Sequence, residues 1–322
     1  MNFVTKFICF SSKAPKKSVQ ELSDLSTLVV FKVHTYIMKT ILLTILLSLG
    51  CLFSYAQDDL LSALEATEEP EKNITPATFK GSRLINGHSV MTRNKGSLEF
   101  LIAHRFGLIN SGGYELFGLD NANVRFGLEY GLLDQLTIGI GRNSFEKTYD
   151  SFAKVALIRQ QTGKTTIPFS VTLFGSAALK TLQIDPEQKL DFLNELSYTG
   201  QILIASKINE FISLQVMPTF IHYNQIEDTR ENDLMAVGVG GRIKLTKRIS
   251  INAEYYYRLT ERDLAGNFDS IAFGIDLETG GHVFQFQFTN SRAMIEKGFI
   301  RETTGDYFAG DIHFGFNITR TF

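Results

Sequence analysis

The sequence predicts an all-β protein: a closed antiparallel transmembrane β-barrel of 12–14 strands behind an N-terminal signal peptide. Three observations carry that reading. In the last thirteen residues, Gly310 to Phe322, Ile312, Phe314, Phe316 and Ile318 share one face of a strand, while His313, Gly315, Asn317 and Thr319 take the other. The same alternation of bulky apolar with small or polar residues recurs at least eight more times upstream. A secretion signal stands in front of it all. Strands with lipid on one side and a lumen on the other alternate in this way, and only helices and closed barrels satisfy their backbone inside a bilayer.

The elements follow in order. Residues 38–56, MKTILLTILLSLGCLFSYA, have a Met start, Lys39 as a basic n-region, an apolar stretch from Ile41 to Leu49, and Ser54-Tyr55-Ala56 as a small-x-small cleavage site. About 17 apolar-leaning residues are too few for a membrane anchor. Residues 1–37 precede a signal that is complete without them, and are read as an extension from a start codon assigned too far upstream. Residues 57–75 are acidic and polar, a periplasmic linker or a short helix carrying Leu60, Leu61 and Leu64 and ended by Pro70. Residues 76–322 are the outer-membrane barrel.

Within it, strands are expected at 83–92, 97–106, 122–131, 135–143, 150–160, 166–178, 196–207, 211–223, 233–245, 249–258, 269–278, 282–290 and 310–320. Tight connections such as 132–135, 208–210, 246–248 and 279–281 alternate with long ones near 107–121, 179–195, 224–232, 259–268 and 291–309. That is the pattern of periplasmic turns and extracellular loops. Thirteen segments are one too many or one too few for an even-numbered barrel. Residues 74–82 would supply a fourteenth strand; if 83–92 is not a strand, the count is twelve.

Composition agrees. The chain has 27 Phe, 11 Tyr, no Trp and only six Pro, which suits long paired strands. Cys9 and Cys51 both lie before residue 57, so the secreted part has neither disulfide nor thiol-based metal site. It also retains 26 basic and 32 acidic residues, net −6, which argues against nucleic acid as a partner.

The run Phe79-Lys80-Gly81-Ser82-Arg83-Leu84-Ile85-Asn86-Gly87-His88-Ser89-Val90, with Lys95-Gly96-Ser97-Leu98-Glu99-Phe100 and Ile102-Ala103-His104-Arg105-Phe106-Gly107 after it, resembles an uncharacterised outer-membrane β-barrel family of Bacteroidetes known only as a domain of unknown function. A signal ending in Ala56-Gln57 is typical of the same phylum. The resemblance implies fold and location and brings no substrate or catalytic residue. Phe322 matches the terminal aromatic read by the barrel-assembly machinery, although Arg320 stands where a second aromatic is often found.

If the bulky face meets outer-membrane lipid, the other face lines the lumen. The lumen-lining candidates are Glu99, Arg105, Arg125, Glu129, Lys154, Arg242, Glu254, Arg258, Asp276, Gln285 and Gln287, charges of both signs that are costly in a dry interior. Small neighbours such as Gly127, Gly139, Gly141, Gly238, Gly240 and Gly274 leave room for water or ligand. Phe286→Arg on the lipid face is expected to cost about 2–4 kcal/mol at the midplane, and Gln287→Arg much less. His88 and His104 stand on one expected hairpin, where a shared site would require them to meet. Neither Gln161-Thr162-Gly163-Lys164 nor Gly238-Val239-Gly240-Gly241 has the strand-to-helix context of a nucleotide motif. No catalytic residue, metal or cofactor is expected. The function expected is a small pore or transport channel for hydrophilic solutes. The alternatives are a non-conducting structural or partner-binding barrel and, third, a lipase-type enzyme at the rim.

Overall fold

The computed structural model describes residues 73–183, 191–225, 231–260 and 266–322. The extension 1–37, the signal 38–56 and all but the last three residues of the linker 57–75 lie outside the described residues. Among those described, twelve antiparallel strands close into one barrel. They are β1 (Leu98–Leu108), β2 (Ala122–Leu133), β3 (Leu136–Asn143), β4 (Tyr149–Ile158), β5 (Ser170–Leu179) and β6 (Leu196–Lys207). β7 (Ile212–Tyr223), β8 (Asp233–Lys244), β9 (Ile249–Arg258), β10 (Ser270–Thr279), β11 (His282–Thr289) and β12 (His313–Thr321) complete the wall. Each strand pairs with its sequence neighbours, and β12 pairs with β1. This seam runs to the last residue, where Leu98 and Phe322 exchange backbone hydrogen bonds at 3.2 and 2.8 Å. Among the described residues the barrel wall leaves no edge unpaired, as lipid requires.

The two-residue period decides which side chains point in. In β9, Ser250, Asn252, Glu254, Tyr256 and Arg258 are buried, while Ile251 and Tyr257 are exposed on the outer wall. In β11, Phe286 and Phe288 face out and Gln285 and Gln287 face in. Tight turns collect at one end of the tube and long connections at the other.

Residues 83–92 do not form a wall strand, which settles the count at twelve. The segment is buried inside the tube as a hairpin. The chain is pinned at the turn end, where Asn73 and Ile74 pair with Thr162 and Gln161 and the Thr75 N–H donates to the Gln160 carbonyl. It climbs into the lumen and reverses over Leu84 to Gly87, with the Leu84 N–H donating to the Gly87 carbonyl and the Ser89 N–H to the Ser82 carbonyl. It then returns to the turn end, where the Arg93 N–H meets the Thr137 hydroxyl at 2.7 Å. This stretch, 78–92, is called the plug below.

A second insertion enters from the loop end. The β11–β12 connection folds inward and forms a short helix, α1 (Glu296–Arg301), whose six residues are all buried. Phe299 and Ile300 join an apolar cluster with Phe79, Leu84 and Val90 of the plug and with Phe174, Leu203, Met217, Ile221 and Leu234 of the wall. Those wall residues are bulky yet face inward, against the simple rule that bulk meets lipid. The hydrophobic gain on closing this part of the lumen is of the usual kind, about 25 cal/mol per Å² of apolar surface removed from water.

Candidate functional site

The filled lumen is the candidate site, and its chemistry is set where wall meets plug. All eleven residues named as lumen candidates are buried on the inner side of the wall. Six of them contact the plug, largely through its backbone. The Lys154 ammonium directs its donors to the carbonyls of Met91 (2.6 Å), Ser82 (3.3 Å) and Ser89 (3.4 Å). Glu254 accepts the N–H groups of Asn86 and Gly87 at 2.8 and 3.2 Å. Arg105 donates to the Asn86 side-chain oxygen at 2.7 Å, and Gln285 to the Leu84 carbonyl at 3.1 Å. Glu99 accepts from Ser82 at 3.1 Å, and Arg242 lies 3.4 Å from the carbonyls of Ala77 and Thr78. The inward face of a barrel can offer such donors and acceptors only at alternate positions, and the plug's irregular backbone supplies their partners.

The other five serve the wall. Arg125 holds Asp150 through two bonds of 2.5 and 2.9 Å. Asp276 accepts from Gln285 at 3.0 Å, Gln287 contacts Asn317 at 3.0 Å, and Arg258 reaches Asp269 at 3.3 Å. Neither carboxylate oxygen of Glu129 has a hydrogen-bond partner among the described residues, although the side chain is buried. Further contacts to the plug come from Gln215, which takes the Val90 N–H (2.9 Å) and donates to the His88 carbonyl (2.8 Å), from Thr172 on the Val90 carbonyl, and from Asn317 on the Ile85 carbonyl.

The small residues do not leave free space. A Cβ on Gly240 would meet Leu84 of the plug at 2.2 Å, one on Gly139 the Phe152 ring at 2.3 Å, and one on Gly141 the Arg125 guanidinium at 2.3 Å. The room expected for water or ligand is taken by the plug and by large inward side chains. The two histidines are likewise apart. His88 is fully buried between the rings of Phe152 and Phe174, at 4.5 and 4.4 Å, whereas His104 stacks on Phe316 at 4.9 Å on the outer face. Among the described residues no group of three His, Cys, Asp or Glu side chains could hold a metal ion.

Plug and α1 meet in mid-lumen. Glu296 lies 3.6 Å from the Arg83 guanidinium and 3.8 Å from the His88 ring. Toward the loop end, Lys297 pairs with Glu302 at 2.9 Å and with Glu146 at 3.0 Å, and Glu146 also binds Lys180 at 2.7 Å. Burial pushes the Glu146 carboxyl up, but the Lys297 and Lys180 ammoniums outweigh it and hold the group below its ordinary value. Burial pulls Lys297 down, and Glu302 and Glu146 more than reverse that. Beside the segments that flank α1, an open vestibule of about 520 Å³ is lined by Asn121, Phe145, Asn290, Arg292, Thr303 and His313, among others.

No curated protein matches the sequence. Among solved structures, the barrel is similar to the NanC porin (7% identity, TM-score 0.44, covering 69% of this chain and 97% of that one). It is similar also to the KdgM porin (8%, 0.41, 70% and 99%) and to an outer membrane channel from Pseudomonas putida F1 (10%, 0.43, 72% and 97%). Each of these is a likeness of one barrel to another and no more. The family match is of a different order: the model of the membrane bound beta barrel domain, DUF5777, aligns with residues 79–322, so that it begins at the first buried apolar residue of the plug and ends with the seam. Plug and wall are therefore parts of one domain, and the chain belongs to the DUF5777 family of membrane-bound β-barrels.

Proposed function

We propose that the protein is a gated channel for small hydrophilic solutes in a bacterial outer membrane, closed in this conformation by the plug from the turn end and by α1 from the loop end. The observation that carries the reading is the chemistry of the seal. The plug is held chiefly by hydrogen bonds from charged and amide side chains to its backbone, and it adds no strand to the wall. Such bonds exchange for water at a modest net cost, about 0.5–1.5 kcal/mol each for the amide side chains and about 1.5–3 kcal/mol for the charged ones. The wall they leave behind carries Glu99, Arg105, Glu129, Lys154, Arg242 and Glu254, which suit an aqueous conduit and burden a permanently dry one. The vestibule, where Asn121, Asn290, Arg292, Thr303 and His313 stand among apolar groups, supplies a mouth at the loop end. Ala56-Gln57 supports a Bacteroidetes origin, and Phe322 at the closed seam supports insertion by the barrel-assembly machinery.

The apolar cluster joining Phe79, Val90, Phe299 and Ile300 to the wall favours a second reading, a barrel that stays shut and serves as a structural or partner-binding component. Planar-bilayer conductance separates the two. Residues 57–322 are compared with a chain lacking 78–92 and with Lys154→Met, each first shown to be folded by heat-modifiable migration. A quiet parent, steady conductance steps from the deletion and intermittent steps from Lys154→Met are expected. A folded deletion variant that conducts nothing would rule out the channel.

A further inference from the structure

The outer wall carries a depression that strand alternation does not require. Register sets Gly241 of β8 beside Ala253 of β9, both pointing outward. On one side of this pair stand Val239 and Tyr255, and on the other Ile243 and Ile251, so the two small residues form the floor of a dent between bulky rows. Over the dent hangs part of the β11–β12 connection. The Tyr307 ring lies 5.9 Å from that of Phe273 on the outer wall, and Phe308, 89% exposed, meets Tyr307 edge-on at 6.0 Å. Together they make an almost wholly apolar groove of about 700 Å³, within the roughly 300–1,000 Å³ of small-molecule sites.

We infer that this groove binds one acyl chain of a membrane phospholipid beneath Tyr307 and Phe308. The groove is continuous with the lipid-facing wall of a membrane-bound barrel, so hydrocarbon is the medium that bathes it. The overhang adds contact on a side where flat wall offers none, and attraction between apolar atoms grows with the number of such contacts. The same connection carries α1, which means that an occupied groove braces from outside the loop that closes the lumen from inside. The site rests on the membrane face alone and stands whether or not the plug ever opens.

The chain contains no Trp, so a single introduced one reports alone. Full-length Tyr307→Trp is reconstituted into phosphatidylcholine vesicles containing rising fractions of phosphatidylcholine brominated on its acyl chain, with Phe286→Trp, elsewhere on the outer wall, as reference. Quenching of the Tyr307→Trp chain is expected to rise in simple proportion to the brominated fraction, as one exchanging chain requires, whereas the reference, open to several chains at once, reaches half its maximum at a lower fraction. Adding Gly241→Phe, which fills the dent, should bring the two curves together. Should that variant fail to fold, Phe308→Ala removes the overhang and leaves the wall intact, with the same expected convergence. Superimposed curves for the two reporters, or quenching indifferent to a folded groove variant, would overturn the assignment.

Discussion

At Gly87 a Cβ would stand 2.0 Å from the Tyr256 hydroxyl, so the tip of the plug closes on the wall only because a hydrogen is there. Gly87→Ala is expected to lift the tip off Glu254 and to destabilise the barrel by about 1–3 kcal/mol, the usual range for overpacking. A lower urea midpoint, followed by heat-modifiable migration, would register it; an unchanged midpoint would mean that Tyr256 swings aside without cost. Neighbouring positions in β11 make a second case. Phe286→Arg puts a charge into lipid and should cost about 2–4 kcal/mol near the midplane. The sequence alone suggests that Gln287→Arg is mild, but the structure revises this. Gln287 is fully buried, 3.0 Å from Asn317 and against the Arg105 guanidinium, and a second guanidinium there has neither space nor counter-charge. Both variants should therefore lose stability. Deleting residues 78–92 should rescue Gln287→Arg, by admitting water, and leave the cost of Phe286→Arg unchanged; equal rescue of both in urea titrations would contradict the facing assignment.

Among the elements, α1 is tied down at the loop end by Lys297, Glu146, Lys180 and Glu302. The pH dependence of that tie follows from its two shifted groups. Glu146 has a lowered value in the folded state, so its contribution is complete above the ordinary 4.5 and is lost as pH falls through the lowered value. Lys297 has a raised value, so its contribution is complete below the ordinary 10.5 and is lost as pH rises through the raised one. Labelling of Ala293→Cys, buried at the base of α1, is expected to stay slow between those limits and to quicken beyond each; Glu146→Gln should abolish the acid limb. The wall strands were legible because most of their length alternates bulk and polarity, a signal that survives without knowledge of neighbours. The plug was not. Residues 83–92 set two apolar pairs, Leu84-Ile85 and Val90-Met91, around a polar middle, and Asn86-Gly87 puts a turn dipeptide at the centre of a supposed strand. α1 is shorter than two turns and too brief for any periodicity to show. Leu203, Met217, Ile221 and Leu234 were unreadable for another reason: their inward bulk answers to Phe79, Val90, Phe299 and Ile300, partners distant in sequence.

For the molecule as a whole, membrane compartment and closure could be read from the chain, because lipid leaves few ways to satisfy a backbone. Whether the tube is open or filled could not, since the same charged wall suits water or a polar segment of the chain itself. The path of that segment has a consequence of its own. Both of its arms meet the barrel at the end that holds the tight turns, near Gln160 and Thr137. The plug is therefore not linked topologically with the closed ring of strands. A segment threaded from one opening to the other could be freed only by parting the seam between β1 and β12, whereas this one can be drawn out like a bight of rope, leaving every rung of the wall in place. Its far arm runs into β1 within a few residues, so it cannot diffuse away. In the gated channel proposed above, return to the lumen would be an intramolecular step at high effective concentration, and the ring and its plug would part and rejoin without either having to unfold.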